Sequence, residues 1–395
     1  MAKKTRPPAS VKVPPQAEIV AQYAPLYAGD PIPWLTPRAS NNPHFLLSSL
    51  GGRYVVLCFY ATAADSVAAD ALKAVERNRA LFDDDNMCFF GVSVDPADEK
   101  TGRVSESLPG LRYFWDFDGA MSRAFGVLPH NDPDSRALRR VWIVLDPSLR
   151  IMATFPLRQD GGNLEEIFAY LRALPQPFLA RGIEIQAPVL YLPNVFEPEF
   201  CRELIALHKA SGGQETGFMR EVDGKTVIIN DKSHKIRRDH VVEDDKTVGG
   251  TQLRVRRRIV PEILRAFNFE VTRMERYLIG CYTSEDGGHF QPHRDNTTKG
   301  TAHRRFAVTI NLNDDFDGGR LCFPEYGPRS FKPPVGGAVV FSCSLMHMVT
   351  PVTRGERYAF LPFLYDEAAV KVRIENNAHL ADESLTYQTN TPAQM

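Results

Sequence analysis

The strongest constraint on the fold lies in the last third of the chain, where residues able to bind a metal stand at spacings typical of strands. In His293-Arg294-Asp295 an imidazole and a carboxylate are two residues apart, and on an extended strand residues i and i+2 share one face. A second imidazole comes from His347, inside the apolar run 338–348. A fold that unites these ligands has to pair strands that are distant in sequence. The pattern therefore predicts a metal site.

The ligand types indicate which metal chemistry to expect. Two imidazoles and one carboxylate on one face of a metal leave the opposite face open, a ligand set typical of non-haem Fe(II) oxygenases. Arg357 lies on the next predicted strand, 355–360 (GERYAF). A guanidinium at this position can bind a carboxylate through two parallel hydrogen bonds. A dicarboxylic cosubstrate would need such a partner at its far end.

The segments around these residues carry a family resemblance. Residues 305–313 (RFAVTINLN) are similar to a central strand, residues 318–324 (GGRLCFP) to a "GGxLxFP" segment, and residues 334–337 (PVGG) precede the strand that leads to His347. Together with the triad, they make residues 186–366 resemble the 2-oxoglutarate/Fe(II)-dependent dioxygenases of the prolyl 4-hydroxylase-like branch. The resemblance implies a double-stranded β-helix, or jelly-roll, domain.

The same resemblance assigns roles to individual residues. It implies that Fe(II) is held by His293, Asp295 and His347. It also implies that Arg357 binds the C5 carboxylate of 2-oxoglutarate, that the Tyr282 hydroxyl assists it, and that Asn311 lines the same pocket. The family commonly has Lys in place of Arg357, but Arg also occurs in this branch.

The implied reaction is hydroxylation of an unactivated C–H with release of succinate and CO2 and consumption of O2, with ascorbate as a candidate reductant. The substrate is a peptidyl residue such as proline or a free small molecule, and the metal site does not choose between them. The carboxylate of Asp295 favours hydroxylation, because Ala or Gly there would open a site for halide and suggest a halogenase. The alternatives are a non-catalytic sensor or scaffold that binds iron and 2-oxoglutarate and, with less support, a thiol peroxidase.

The first half of the chain predicts a separate α/β domain. Buried-type strands at 54–60, 87–94, 140–145 and 151–155 alternate with helices at 66–83 and 163–173, which is the thioredoxin-like plan. Val94-Asp95-Pro96, Phe125-Gly126-Val127 and the Asp146-Pro147 turn make residues 22–175 resemble a peroxiredoxin (AhpC/TSA) domain.

This first domain lacks the residue on which peroxiredoxin chemistry depends. A redoxin places its reactive cysteine after the first long strand, near a helix N-terminus that lowers the thiol pKa. Here that segment is 61–67 (ATAADSV), without cysteine, and Cys58 precedes it inside the strand. The domain is therefore expected to have lost peroxidase activity, which leaves substrate recruitment, oligomerisation or stabilisation of the second domain as its role.

Composition and pattern also predict the remaining segments. Residues 1–21 are expected to be a disordered tail, the linker lies near 173–177, and the second domain opens with a strand at 187–192 and a helix at 198–210. A further helix is expected at 246–268. Residues 367–395 are expected to be a flexible tail, in which 369–375 could add a strand.

Charge, hydropathy and cysteine usage restrict partners and compartment. A net charge of −1 gives no global nucleic-acid signal, and no apolar run is long enough for a membrane span. The N-terminus has no apolar segment of the secretory type, and the six cysteines are scattered. We expect a cytoplasmic protein with reduced thiols and no membrane or nucleic-acid partner, while the oligomeric state stays open.

A histidine outside such a motif is most often a hydrogen-bonded structural residue. That interpretation is the default for His208, His234, His240 and His379, while His289 and His303 stay open as substrate contacts because loops at a site often carry them.

Overall fold

The N-terminal domain is a five-stranded sheet with helices on both faces. The computed structural model describes residues 21–24, 27–180, 182–183, 185–382 and 385–387, so all but the last residue of the predicted 1–21 tail lies outside them. The elements of this domain are β1 Tyr54–Ala61, α1 Ser66–Arg77, β2 Met87–Ser93, α2 Pro96–Lys100, β3 Leu111–Trp115, α3 Ala120–Ala124, β4 Val141–Leu145, β5 Ile151–Pro156 and α4 Leu164–Ala173.

The order of strands confirms the thioredoxin-like plan. It is β3-β2-β1-β4-β5, with β1, β2 and β3 parallel and β4 and β5 antiparallel. Strand β1 is central and buried over its first seven residues, because its continuous apolar run packs against one core on each face. The sequence prediction missed β3 and ended the first helix too late, since α1 stops at Arg77.

The C-terminal domain consists mostly of short antiparallel strands. Its elements are β6 Leu190–Leu192, α5 Pro198–Ser211, β7 Gln214–Glu215, β8 Phe218–Val222, β9 Lys225–Ile229, β10 Lys235–Ile236, β11 Arg238–Val241, α6 Asp245–Arg258, α7 Val260–Phe267, β12 Arg273–Glu275, β13 Leu278–Thr283, β14 His289–His293, β15 Phe306–Asn311, β16 Asp317–Gly318, β17 Leu321–Cys322, β18 Ser330–Phe331, β19 Ala338–Ser342, β20 His347–Val349, β21 Val352–Arg354, β22 Glu356–Phe360, β23 Phe363–Tyr365 and α8 Glu367–Glu375.

Two sheets form the jelly-roll. The larger runs β12-β23-β15-β22-β13-β11-β7, with β19 and β6 continuing from β15, and the smaller runs β10-β14-β20-β17-β18. Helices α5, α6 and α7 pack against the larger sheet through Leu204, Val255 and Ile263, which are fully buried. A second apolar cluster that includes Tyr282, Phe316 and Val349 brings together residues of both sheets. The space between the sheets is therefore lined by side chains from each of them.

Two expectations for the C-terminal domain were wrong. The helix expected at 246–268 is broken at Ile259, because Pro261 has no N–H and cannot continue the preceding helix. The optional strand at 369–375 is instead part of the helix α8, whose N-terminus is capped by Asp366 accepting from the Ala369 N–H at 3.0 Å. Residues 383–384 and 388–395 of the expected tail lie outside the described residues. Tyr387 is buried, and Asn377 hydrogen-bonds with its backbone.

In the part of the chain that the structure describes, no helix is both long and apolar enough to cross a membrane.

Candidate metal centre and cosubstrate pocket

The three predicted metal ligands converge where two neighbouring strands of the smaller sheet, β14 and β20, meet end to start. His293 ends β14 and His347 begins β20, and the two residues are direct cross-strand partners. Asp295 lies in the turn just beyond β14, where its N–H donates to the Cys343 carbonyl at 3.0 Å. One donor atom from each of the three lies within 4.8 Å of the others. The distances are 3.7 Å from His293 Nε2 to Asp295 Oδ1 and 3.4 Å from His347 Nε2 to Asp295 Oδ2.

Backbone carbonyls select the tautomer of both imidazoles. His293 Nδ1 lies 2.7 Å from the Gln291 carbonyl and His347 Nδ1 lies 3.0 Å from the Leu345 carbonyl. Because a carbonyl only accepts, each Nδ1 carries the hydrogen and each Nε2 keeps a free lone pair. Both free lone pairs belong to the atoms that lie near the Asp295 carboxylate. Two nitrogen donors and one carboxylate fit a facially bound Fe(II) ion.

Aromatic rings pack against both histidines. The Phe290 ring stacks on His293 with centroids 3.5 Å apart, and the Phe341 ring meets His347 edge-on at 4.6 Å. Burial, followed by the neighbouring His347, holds the pKa of His293 well below its ordinary value. A neutral imidazole is the form that ligates a metal.

Arg357 enters the space between the sheets from the larger sheet. It lies on β22, is 2 % exposed, and donates to Thr309 Oγ1 at 2.8 Å and to Asn311 Oδ1 at 3.2 Å. Its Nη1 is buried without a hydrogen-bond partner among the described residues. A buried guanidinium with an unsatisfied donor and no carboxylate partner is suited to bind an anionic ligand.

Tyr282 and Asn311 both adjoin Arg357, but in different ways. Tyr282 on β13 is the cross-strand partner of Arg357, and the guanidinium carbon lies 5.4 Å from the centre of its ring. Asn311 uses its carbonyl oxygen on Arg357 and its amide on the Pro333 carbonyl at 3.0 Å. Since both ends of its amide are engaged within the protein, Asn311 orients Arg357.

Sequence reasoning missed a buried charge network next to Tyr282. Arg237 is 5 % exposed and donates from Nη1 to the Tyr282 hydroxyl at 3.2 Å, while Nε and Nη2 grip the two oxygens of Asp239 at 2.5 and 2.8 Å. Lys235 and Arg276 approach the same carboxylate at 3.6 and 3.8 Å. Lys235, Arg237 and Asp239 alternate at i, i+2 and i+4, which was a sequence signal for one strand face.

A cleft of about 1000 Å³ opens onto two residues of the triad, while His347, Arg357, Tyr282 and Asn311 do not line it. His293 and Asp295 lie in its wall together with His234, whose ring packs against Phe218 with centroids 4.2 Å apart. The default structural interpretation of His234 was therefore incomplete, because its ring lines the cleft.

The two histidines left open as substrate contacts lie elsewhere. His303 is buried, with Nε2 3.0 Å from Glu275 Oε2. His289 faces the Gly287 carbonyl at 2.8 Å and the Ser233 carbonyl at 3.3 Å. Neither lines the cleft, so the structure gives both a local structural role.

In the N-terminal domain, the position of a reactive cysteine is filled by a closed polar network. Thr62 Oγ1 donates to Asp95 at 2.8 Å, and the Ala63 N–H donates to the buried Asp98 at 2.8 Å. The N-terminus of α1 is capped by Asp65, which accepts from the Val67 and Ala68 N–H groups. Cys58 is fully buried, and burial raises the pKa of its thiol. It cannot supply the thiolate that attacks a peroxide.

Comparison with known proteins agrees with both halves of this description. Residues 277–365 match the model of the 2OG-Fe(II) oxygenase superfamily, and residues 28–153 match the model of the AhpC/TSA family. The PKHD-type hydroxylase PiuC of Pseudomonas aeruginosa is 35 % identical over 103 residues, which cover 24 % of this chain and 44 % of that protein. A PKHD-type hydroxylase of Pseudomonas paraeruginosa, PSPA7_5129, matches to the same extent. The chain thus spans less than half the length of these curated relatives.

Two solved structures are also similar. One is a prolyl hydroxylase from Trichoplax adhaerens in complex with a hypoxia inducible factor oxygen degradation domain peptide fragment, at 17 % identity and a TM-score of 0.38 over 48 % of this chain and 86 % of that chain. The other is a prolyl-4-hydroxylase from Pseudomonas putida, at 16 % identity and a TM-score of 0.36 over 48 % of this chain and 96 % of that one. By its two family matches, the chain joins an AhpC/TSA domain without the reactive cysteine to a 2OG-Fe(II) oxygenase domain.

Proposed function

We propose that the protein is an Fe(II)- and 2-oxoglutarate-dependent dioxygenase that hydroxylates an unactivated C–H of a peptidyl residue or a small molecule, releasing succinate and CO2. The observation that carries the proposal is the pairing of two features. Two imidazoles and a carboxylate converge beside a cleft, and a buried arginine of the larger sheet keeps one donor unsatisfied. The first fits a metal, and the second fits the far carboxylate of a dicarboxylic cosubstrate.

Each residue has a defined task in this proposal. His293, Asp295 and His347 would hold Fe(II), which together with 2-oxoglutarate and O2 supplies the oxidising chemistry. Arg357 binds the C5 carboxylate of 2-oxoglutarate through its free Nη1, and the adjacent Tyr282 hydroxyl adds a second donor.

Other residues act through these. Asn311 and Thr309 fix the plane of the Arg357 guanidinium, and Arg237 fixes the Tyr282 hydroxyl. Phe316 and Val349 exclude water from the space between the sheets.

The domain limits are part of the proposal. We assign residues 22–175 to the AhpC/TSA domain and residues 186–366 to the oxygenase domain. The continuous sheet within each range supports these limits.

We also propose ascorbate as the reductant, on the family resemblance alone, and a cytoplasmic location. All six cysteines are unpaired, which supports a reducing compartment. The net charge of −1 favours no nucleic-acid partner.

The test combines a binding spectrum with product analysis. Fe(II) and 2-oxoglutarate are added to the full chain without oxygen, the visible charge-transfer band is recorded, and succinate is measured after O2 is admitted. We expect a band and succinate from wild type and neither from His293→Ala. The matched control is His130→Ala, an exposed histidine of the other domain that does not line the cleft, which should behave as wild type.

Other outcomes separate the alternatives. A band without succinate, whatever substrate is offered, would support the iron- and 2-oxoglutarate-binding sensor. The absence of both from wild type would overturn the metal-site assignment.

A further inference from the structure

The cleft over the triad has walls from both domains. One wall belongs to the oxygenase domain and includes β8 and the turn after it. The opposite wall is the 36–49 segment of the AhpC/TSA domain, which contributes Thr36, residues 41–46, Ser48 and Ser49. Several of these residues, among them His44 and Leu46, are exposed. The AhpC/TSA domain therefore presents side chains to the same space as the metal ligands.

Arg294 ties this wall to the metal site. It stands between the ligands His293 and Asp295, and because side chains alternate along an extended chain, it points away from them. Its guanidinium donates to the Ser48 carbonyl at 2.9 Å and forms a two-point ion pair with Glu325 at 2.7 and 3.1 Å. Both ionic side chains are nearly buried, at 5 % and 9 % exposure. The residue inside the metal-binding motif is thus also the residue that holds the other domain.

Two glycines allow the domains to approach this closely. A Cβ at Gly51 would lie 2.7 Å from Glu325 Oε1, and a Cβ at Gly52 would lie 2.7 Å from the Cβ of Pro324. Gly52 also has φ +93°, which side chains rarely adopt. A contact without room for a methyl group, next to a buried ion pair, fixes the position of the 36–49 segment over the cleft.

The facing wall is a free strand edge. In the described part of the chain, β8 pairs as a strand with β9 alone. Residues 217–224 all line the cleft in succession, whereas β9 contributes only Ile228. Since successive side chains of a strand point to opposite faces, a lining without gaps indicates that the edge of β8 faces the cleft. An edge with unpaired N–H and C=O groups can add an extended peptide as a further strand.

We propose that the 36–49 segment of the AhpC/TSA domain is a substrate-binding wall, and that the substrate is an extended peptide lying between this segment and the β8 edge. The inference rests on the proposed function and deepens it, because it selects a peptidyl substrate and gives the AhpC/TSA domain a task. A cleft of about 1000 Å³ is at the upper limit for small-molecule pockets and open along a strand edge, which suits a peptide.

The experiment measures peptide binding to the full chain with Fe(II) and 2-oxoglutarate bound and oxygen excluded. The probes are synthetic peptides of about ten residues, which at ~3.3 Å per residue exceed the length of β8, with the central residue and its flanks varied. Peptides that bind are then titrated against two matched variants. Leu46→Asp changes a side chain that is 38 % exposed and lines the cleft, and Leu108→Asp changes one in the same domain that is 61 % exposed and does not.

We expect binding by wild type and Leu108→Asp, and dissociation constants at least about tenfold weaker for Leu46→Asp, since losing one apolar contact and burying a charge exceed ~1.4 kcal/mol. Equal melting temperatures of the two variants exclude misfolding. Equal peptide affinity in both variants would overturn the wall. Failure of every peptide while the Fe(II)–2-oxoglutarate band is present would overturn the peptide substrate yet leave the proposed function standing.

Discussion

The two domains each place polar groups at the end of a central strand, but they use the hydrogen-bonding capacity of those groups differently. After β1 in the AhpC/TSA domain, the side chains of Thr62 and Asp98 are satisfied by protein partners, and Asp98 also receives the Ser93 hydroxyl at 2.7 Å. In the oxygenase domain, Arg357 keeps a buried donor free and two imidazoles keep free lone pairs. A binding site can be recognised by buried donors and acceptors that have no partner within the protein. A site without a ligand to bind has its donors and acceptors paired with one another.

The largest expected effect concerns the buried charges that support the oxygenase site. Replacing Arg237 by Met leaves the Asp239 carboxylate buried without its bidentate partner, which typically costs about 3–5 kcal/mol. Lys235 and Arg276 remain near this carboxylate, so we expect the free energy of unfolding in urea to fall by about 3 kcal/mol.

The neighbouring Arg238→Met is the control for this network. Its side chain is 48 % exposed and lies 4.0 Å from Asp286, so its loss should cost no more than about 1 kcal/mol. Equal losses of unfolding free energy in the two variants would show that the network around Asp239 does not stabilise the domain. The buried charges would then not distinguish the oxygenase site from the segment after β1.

Much of this contrast could be predicted from the sequence, because it depends on residue types within strands. His293 and Asp295 are two residues apart on an extended segment, His347 and Arg357 stand in or next to apolar strand-like runs, and the missing cysteine can be read directly from the sequence. The structure brings the three triad residues together within 4.8 Å.

The parts that could not be predicted depend on pairing between distant segments. Lys235 and Arg237 lie in a stretch whose composition suggests charged surface. They are buried where β10 pairs with β14 and the adjoining β11 pairs with β13, which brings Arg237 to Tyr282. The contact of Arg294 with Ser48 joins the two domains, and no local pattern indicates it. The helix α8 was missed because Val370, Val372 and Ile374 alternate as they would on a strand, and its cap, Asp366, follows directly on a strand.

The next largest effect concerns Arg357, whose Nη1 has no partner among the described residues. Arg357→Met removes the guanidinium but keeps an apolar side chain of similar length in a site that is 2 % exposed. Losing a charge-assisted hydrogen bond costs about 1.5–3 kcal/mol. We therefore expect the KM for 2-oxoglutarate in succinate formation to rise roughly 10- to 100-fold.

Arg354→Met serves as the matched control on the preceding strand. Its side chain is 65 % exposed and pairs with Asp317 at 2.6 Å, so it should leave the KM for 2-oxoglutarate unchanged. A rise of less than about threefold in Arg357→Met, which corresponds to under ~0.7 kcal/mol, would remove Arg357 from the cosubstrate site.

The smallest expected effect concerns the AhpC/TSA domain, where a cysteine is introduced into the segment after β1. Thr62→Cys places a thiol beside the carboxylates of Asp95 and Asp98, and both like charges and lost hydrogen bonds oppose a thiolate there. The nearby Arg103 and Arg140 are paired with carboxylates at 2.9 and 2.5 Å, so their charge is already compensated. The rate of iodoacetamide alkylation against pH, after subtraction of the wild-type rate, should give a thiol pKa above the ordinary ~8.5, with no gain in peroxide consumption. The paired variant Thr62→Cys/Asp98→Asn should have a lower thiol pKa than Thr62→Cys alone. A thiol pKa near 7 in the single variant, together with peroxide consumption, would contradict this expectation. It would mean that only the missing cysteine, and not the hydrogen-bonded network around Thr62, prevents peroxidase activity.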